Sequence, residues 1–210
     1  MTQARSTWVV FDYGGVICTP QPDEDVALLA AAAGVPVPDF QSAYWAYRLG
    51  WDRAELDGTT YWHKVAAALG ISFSVSQIAE LTRLDIASWL HLCDGTVALI
   101  EDLVRAGYPL ALLSNAPAEV AEVVADLPVA RAFSHRAFSC FLGAAKPAPE
   151  CYQAVLGMLG ARPGDVIFID DRPENVAAAA GLGIRSVHFS TPAQARTALA
   201  AHGVTATPRG

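Results

Sequence analysis

Cysteine is scarce, and its pattern is uninformative for metal binding. The chain has four, Cys18, Cys93, Cys140 and Cys151, with no CxxC pair and no histidine at metal-ligand spacing. A disulfide framework and a zinc site are disfavoured, and buried free thiols in a reducing compartment are expected. Positive charge is also in short supply: 14 Lys and Arg stand against 21 Asp and Glu, with no basic block anywhere. A net charge of −7 argues against nucleic acid or an acidic membrane surface as partner. No apolar run approaches the length of a membrane span. The amino-terminal MTQARSTWVVFDYGG holds only a four-residue apolar run, too short for the core of a signal peptide. A cytoplasmic protein is the expectation.

Hydrophobic residues, at 53% of 210, suffice for one compact domain, or for a core with a small insert. The first apolar run, Trp8 to Phe11, is short, rich in β-branched residues and closed by Asp12-Tyr13-Gly14-Gly15. It reads as a buried strand ending in a tight turn. Similar runs recur at Pro109–Ser114, Val166–Asp170 and Arg185–Phe189, with a weaker one near Ala137–Phe141. Helical patterns lie between them at Thr96–Ala106, Ala118–Ala125, Pro149–Leu159 and Pro173–Leu182. Continuous apolar strands alternating with helices predict an α/β fold, a Rossmann-like parallel sheet covered on both faces. From about Thr19 to Leu92 the rhythm changes to four helical patterns, at Asp23–Ala33, Asp39–Leu49, Thr59–Leu69 and Ser76–Leu90. The predicted organisation is a catalytic core of residues 1–18 and 93–210, with residues 19–92 forming an all-helical cap. The tail from Gly203 to Gly210 reads as frayed.

Function in an open parallel sheet gathers at the carboxyl ends of the strands. Asp12 follows the first strand, Ser114-Asn115 the second and Asp170-Asp171 the fourth, while Lys146 precedes the helix at Pro149. Each has an ordinary reading alone. Asp12 can end a strand, Asp171 can cap a helix with Pro173 and Glu174, Ser114 can cap another, and Lys146 can be a solvated charge. Together they place three carboxylates, a hydroxyl and an ammonium at one sheet edge. Crowded carboxylates resist ionising together, and a divalent cation removes that conflict; hard oxygen ligands suit Mg²⁺. Such a metal lets an anionic phosphate approach a carboxylate nucleophile, with Lys146 neutralising charge from the other side. Gly14 and Gly15 permit close backbone approach.

At these residues the chain resembles the haloacid dehalogenase-like superfamily, in its phosphatase branch. The four motifs occur in order as FDYGGVI at Phe11–Ile17, LLSNAP at Leu112–Pro117, KPAPECY at Lys146–Tyr152 and VIFIDDRPEN at Val166–Asn175. The resemblance implies that Asp12 is the nucleophile that forms an aspartyl-phosphate. It implies that Asp12, the Gly14 carbonyl, Asp171 and the neighbouring Asp170 hold Mg²⁺. It also implies that Ser114, Asn115, Lys146 and Gly15 bind the phosphoryl group of a small phosphorylated metabolite, a sugar phosphate among the candidates.

One position departs from that pattern. The superfamily's phosphatases usually carry a second Asp two residues after the nucleophile, as acid and base for the leaving group and water. Here that residue is Gly14, which can do neither. Two other readings therefore stay open: a metal-independent 2-haloacid dehalogenase, and a binding module on a weakened catalytic fold. The paired acids at 170 and 171 weigh against the first, and the intact Asp12, Lys146 and Asp171 against the second. Arg48 and Arg53, among the aromatics Tyr44, Trp45, Tyr47, Trp51, Tyr61 and Trp62, are the polar residues the cap could turn toward a leaving group.

Overall fold

A computed structural model describes residues 7–206. In it, β1 (Trp8–Phe11) is followed by four helices, α1 (Asp23–Ala33), α2 (Val37–Asp52), α3 (Gly58–Ala68) and α4 (Val75–Ser88). Strands and helices then alternate: α5 (Asp94–Arg105), β2 (Leu110–Ser114), α6 (Ala118–Asp126), β3 (His135–Phe138) and the one-turn α7 (Ser139–Leu142). The chain continues through α8 (Pro149–Leu159), β4 (Val166–Asp170), α9 (Pro173–Gly181), β5 (Arg185–His188) and α10 (Pro192–Ala201). All pairings in the sheet are parallel, in the order β3-β2-β1-β4-β5. The α/β architecture is the expected one. β1 is central, with Phe11 level with Leu112 on one side and Ile169 on the other.

Side chains alternate across a strand, so each continuous apolar run serves two cores. Val9 and Phe11 join Leu110, Leu112, Ile167 and Ile169 on one face, against Leu99 and Leu103 of α5. Val10 joins Ala111, Leu113 and Phe168 on the other, against Tyr152 and Val155 of α8. Helices on both faces leave the strand tips as the sheet's open edge.

The four helices between β1 and α5 have a hydrophobic cluster of their own, centred on Tyr44, Trp51, Tyr61 and Trp62. Trp51 and Tyr61 stack with centroids 4.3 Å apart. The segment joins the sheet through two adjacent connections, where Thr19 N donates to His91 O and Cys93 N to Ile17 O, both at 2.8 Å. It also touches the far side of the sheet. Trp51 Nε1 donates to Glu119 of α6 at 3.1 Å, and Ser139 Oγ to the Asp52 carbonyl at 2.5 Å.

Two expectations need correction, and one helix was not expected. The weak strand runs from His135 to Phe138 rather than from Ala137 to Phe141, because the second half of that apolar run forms α7. α10 follows the last strand, capped by the Thr191 side chain accepting from Gln194 N. The tail is not loose from Gly203: Val204 is buried, and Arg196 donates to the Ala206 carbonyl at 2.6 Å. Residues 207–210, also read as frayed, lie outside the described residues. All four cysteines are free. No single helix among the described residues is long and apolar enough to cross a membrane.

Candidate active site

The carboxyl end of β1 hands directly to Asp12, whose backbone N–H continues the ladder to Ile169 O at 2.9 Å. The position of Asp12 is thus fixed by the sheet itself. Lys146 enters from the loop before α8, and its Nζ lies 2.6 Å from Asp12 Oδ1 and 2.7 Å from Asp170 Oδ2. All three side chains are buried. Asp12, Asp170 and Asp171 each turn a carboxylate oxygen into a cluster in which these atoms lie within 4.8 Å of one another.

Asp170 is already saturated. Its Oδ1 accepts from Arg172 N at 2.8 Å and from Asn175 Nδ2 at 3.0 Å, and its Oδ2 accepts from Asn175 as well as Lys146. This geometry makes Asp170 the anchor of Lys146. Asp171, half-exposed beside it, is not a helix cap: Arg172 occupies the cap position of α9, and no side chain caps that helix. Instead Asp171 lies against Gly15, whose φ is +77°. His188 Nε2 sits 2.9 Å from the Asp171 carbonyl, so the one histidine near the site meets backbone.

Asn115 has both ends of its amide engaged. Its Nδ2 donates to Lys146 O and its Oδ1 accepts from Lys146 N, each at 2.9 Å. The residue pins the lysine loop to the tip of β2. Ser114 is buried at the end of β2, its hydroxyl only 3.5 Å from the Asn115 carbonyl, which leaves that hydroxyl weakly held and able to serve a ligand. Gly14 and Gly15 border the same cavity.

Electrostatics follow from burial. Desolvation pushes the Asp12 carboxyl up to about 8, Asp170 adds to the rise, and Lys146 opposes it. Asp171 is raised for the same reasons, burial first and Asp170 second. Burial works against the Lys146 ammonium, but Asp12 and Asp170 outweigh it and hold it above the ordinary lysine range. Three carboxylates and one ammonium would leave two negative charges in a low-dielectric pocket. The donor set is all oxygen, and the unmet charge is that of one divalent cation; Mg²⁺ fits both. Asp12 and Asp171, with Asp170 beside them, are the carboxylates that could hold it.

A cavity of about 760 Å³ opens over Asp12 and runs up between the sheet edge and the four-helix segment. α2 lines it with Gln41, Trp45, Arg48, Leu49 and Asp52, a single stripe at helical spacing. Arg48 is buried and locked: Nε bonds Asp52 at 2.8 Å, and Nη1 bonds Asp85 at 3.0 Å and the Tyr44 hydroxyl. Arg53 does not border the cavity and pairs at 3.7 Å with Glu55. Of the aromatics in the segment, Trp45 lines the cavity and so does Trp89. Tyr44, Trp51, Tyr61 and Trp62 are core.

Sequence reasoning passed over Trp89 and Asn175. Asn175 stands at the end of the fourth motif, in the first turn of α9 just after Asp170, and that place was the available signal. Trp89 falls inside the helical pattern read at Ser76–Leu90, but α4 ends at Ser88 and Trp89 is the residue that follows it. Its backbone carbonyl accepts from the Tyr13 hydroxyl at 2.7 Å. Its ring stands over Gly14: a Cβ there would be 3.3 Å from Trp89 Cζ3. The indole N–H is buried with no hydrogen-bond partner among the described residues. Such an orphan costs roughly 1–3 kcal/mol, so this placement is not the one that best stabilises the ring itself.

The family model for haloacid dehalogenase-like hydrolases matches residues 7–183. Flavin mononucleotide hydrolase 1 of Arabidopsis thaliana is 32% identical over 120 residues, which are 57% of this chain and 47% of that protein. The match thus spans about half the length of that relative. Sesquiterpene phosphatase astK of Aspergillus oryzae is 25% identical over 182 residues, covering 86% of this chain and 88% of the relative. Among solved structures, a magnesium complex of a HAD family enzyme from Bacteroides thetaiotaomicron superposes with a TM-score of 0.71 at 20% identity, covering 89% of this chain and 94% of that one. An L-2-haloacid dehalogenase shares the fold as well, with a TM-score of 0.68 at 18% identity over 87% and 86% of the two chains. The fold alone does not separate phosphatase from dehalogenase.

Proposed function

The chain belongs to the haloacid dehalogenase-like hydrolase family, and on that premise we propose that it is a Mg²⁺-dependent phosphomonoesterase acting through an aspartyl-phosphate on Asp12. The observation that carries this reading is Lys146 Nζ bridging Asp12 and Asp170, next to a third carboxylate free to take a cation. Relatives named as a flavin mononucleotide hydrolase and a sesquiterpene phosphatase support a small phosphorylated metabolite as substrate. Sugar phosphates belong in the same screen.

Bound Mg²⁺ would neutralise the carboxylates and polarise the phosphoryl oxygens. The chain's own residues do the rest. The β1–β4 ladder holds Asp12 at the sheet edge, aimed into the cavity, so that its oxygen attacks phosphorus without first having to be oriented. Lys146, kept protonated by Asp170 and held in place through Asn115, places its charge beside the transferring group. The Ser114 hydroxyl donates to a phosphoryl oxygen. Water then cleaves the aspartyl-phosphate and returns the Asp12 carboxylate. Residues 19–92 form the cap, a reading supported by their separate hydrophobic cluster and paired connections.

The test is Asp12→Asn in a preparation free of contaminating phosphatase. Phosphate release from aryl phosphates with Mg²⁺ is expected to fall to background, with a melting temperature within about 4 °C of the wild type. Near-wild-type turnover in the variant rules out the covalent route. The dehalogenase reading is addressed by metal: it requires turnover of a 2-haloacid in excess chelator.

A further inference from the structure

The space over Gly14, beside Asp12, is filled by carbon. Gly14 offers no carboxyl, and Trp89 stands where a side chain at that position would project. Beyond it, α2 presents Trp45 and Leu49, one helical turn apart, and both line the cavity while remaining 51% and 46% exposed. Trp45 meets Trp89 edge to face with centroids 6.5 Å apart. Val26, Val120 and Ala116 add to the apolar lining. Two polar side chains on this wall are tied up within the protein, while Gln41 and Asp23 remain exposed at the cavity. Arg48 is held by Asp52 and Asp85, and the Gln21 amide donates to Ser88 at 2.7 Å. A cavity of about 760 Å³ is far larger than a phosphoryl group, so most of it receives the leaving group.

Resting on the phosphatase reading above, we infer that the substrate is a phosphate ester of an aromatic hydroxyl, whose ring system seats against Trp45, Leu49 and Trp89. Large apolar side chains left uncovered within a site are a binding surface, and aromatic faces favour flat rings. Against the stretch formed by Trp45, Leu49 and Trp89, the hydroxyls of a polyhydroxylated body would go unsatisfied. The chemistry points the same way. Asp12 forms a bond to phosphorus as the bond from phosphorus to the aryl oxygen breaks. That oxygen leaves with the electron pair as a phenolate, stable enough to need no proton from the enzyme. Water then attacks phosphorus, the bond to Asp12 breaks, and inorganic phosphate is released as its extra proton passes through solvent to the phenolate.

The experiment compares kcat/KM for 2-naphthyl phosphate, phenyl phosphate and a hexose 6-phosphate at fixed Mg²⁺ and pH. This ratio reports only the steps through leaving-group departure. The two aryl oxygens differ little in acidity, so their ratio reads contact with the wall. Wild type is expected to favour the naphthyl ester by about tenfold or more, with the hexose ester slowest. Trp45→Ala and Leu49→Ala should each shrink the naphthyl advantage. Both side chains are half-exposed, so folding survives, as circular dichroism melts will check. A hexose ester faster than both aryl esters, or a ratio unmoved in both variants, overturns this inference and leaves the phosphatase reading standing. Inactivity on all three esters with Mg²⁺ overturns the phosphatase reading, and this one with it.

Discussion

Asp171 occupies the space that a side chain on Gly15 would need: a Cβ built there falls 2.3 Å from Asp171 Oδ2. Glycine at 15 is thus required twice, by its φ of +77° and by the carboxylate against it. Gly15→Ala is expected to push Asp171 out of the cluster and raise the Mg²⁺ concentration for half-maximal activity by about 10–100-fold. A magnesium titration of phosphatase activity reads it. An unchanged midpoint would mean Asp171 is not a metal ligand.

The two adjacent aspartates are expected to fail differently. Asp171→Ala should weaken metal binding with little change in stability, since the side chain is half-exposed. Asp170→Ala removes an acceptor that Lys146, Asn175 and the Arg172 N–H all use, leaving a buried ammonium half-paired. A loss of about 3–5 kcal/mol is expected, visible in denaturant melts, with a smaller effect on the magnesium midpoint. Equal stability losses in the two variants would contradict this division.

At Gly14 the obstacle to restoring a carboxyl is Trp89. Gly14→Asp alone must displace a ring 3.3 Å from the new Cβ, and little gain in rate is expected. With Trp89→Leu as well, the carboxyl has room and should speed esters of poor leaving groups by up to about 10²–10⁴-fold, aryl esters much less. Kinetics of a primary alkyl phosphate on both variants decide it. A full gain in Gly14→Asp alone would show that Trp89 yields freely.

Replacing residues 19–92 by a short linker is expected to leave a folded core, because Ile17 and Cys93 are already hydrogen-bonded. That core should still hydrolyse phenyl phosphate slowly while losing its preference among esters. An unchanged ranking would show that specificity resides outside the segment.

The strand tips were legible because each buried strand ends in a polar residue that burial alone does not explain: Asp12, Ser114, Asp170. Their assembly into one site follows from parallel topology. The work of Asn115 was not legible, since its partner is the backbone of Lys146, brought near only by folding. Trp89 was hidden for a similar reason: the helical pattern at Ser76–Leu90 absorbed it, and nothing local marks it as standing over Gly14. β3 was misplaced because it is an edge strand with only Ala137 and Phe138 buried, so the apolar run misreports its start. α10 offered a Thr-Pro opening and a following Gly203, but its only buried side chains are Ala195 and Leu199, too faint a stripe to stand out.

The central place of β1 in the sheet also sets an order of assembly. Val9 must pair with both Leu110 and Ile167, partners that leave the ribosome long after it does. The four helices that follow β1 pack mainly on one another and can collapse before the sheet closes, whereas pairings distant in sequence form slowly. Asp12 is therefore among the first site residues synthesised and among the last to reach its final geometry. Until β4 arrives with Asp170, Lys146 has no anchor, and a nascent or truncated chain carries Asp12 without the means to use it.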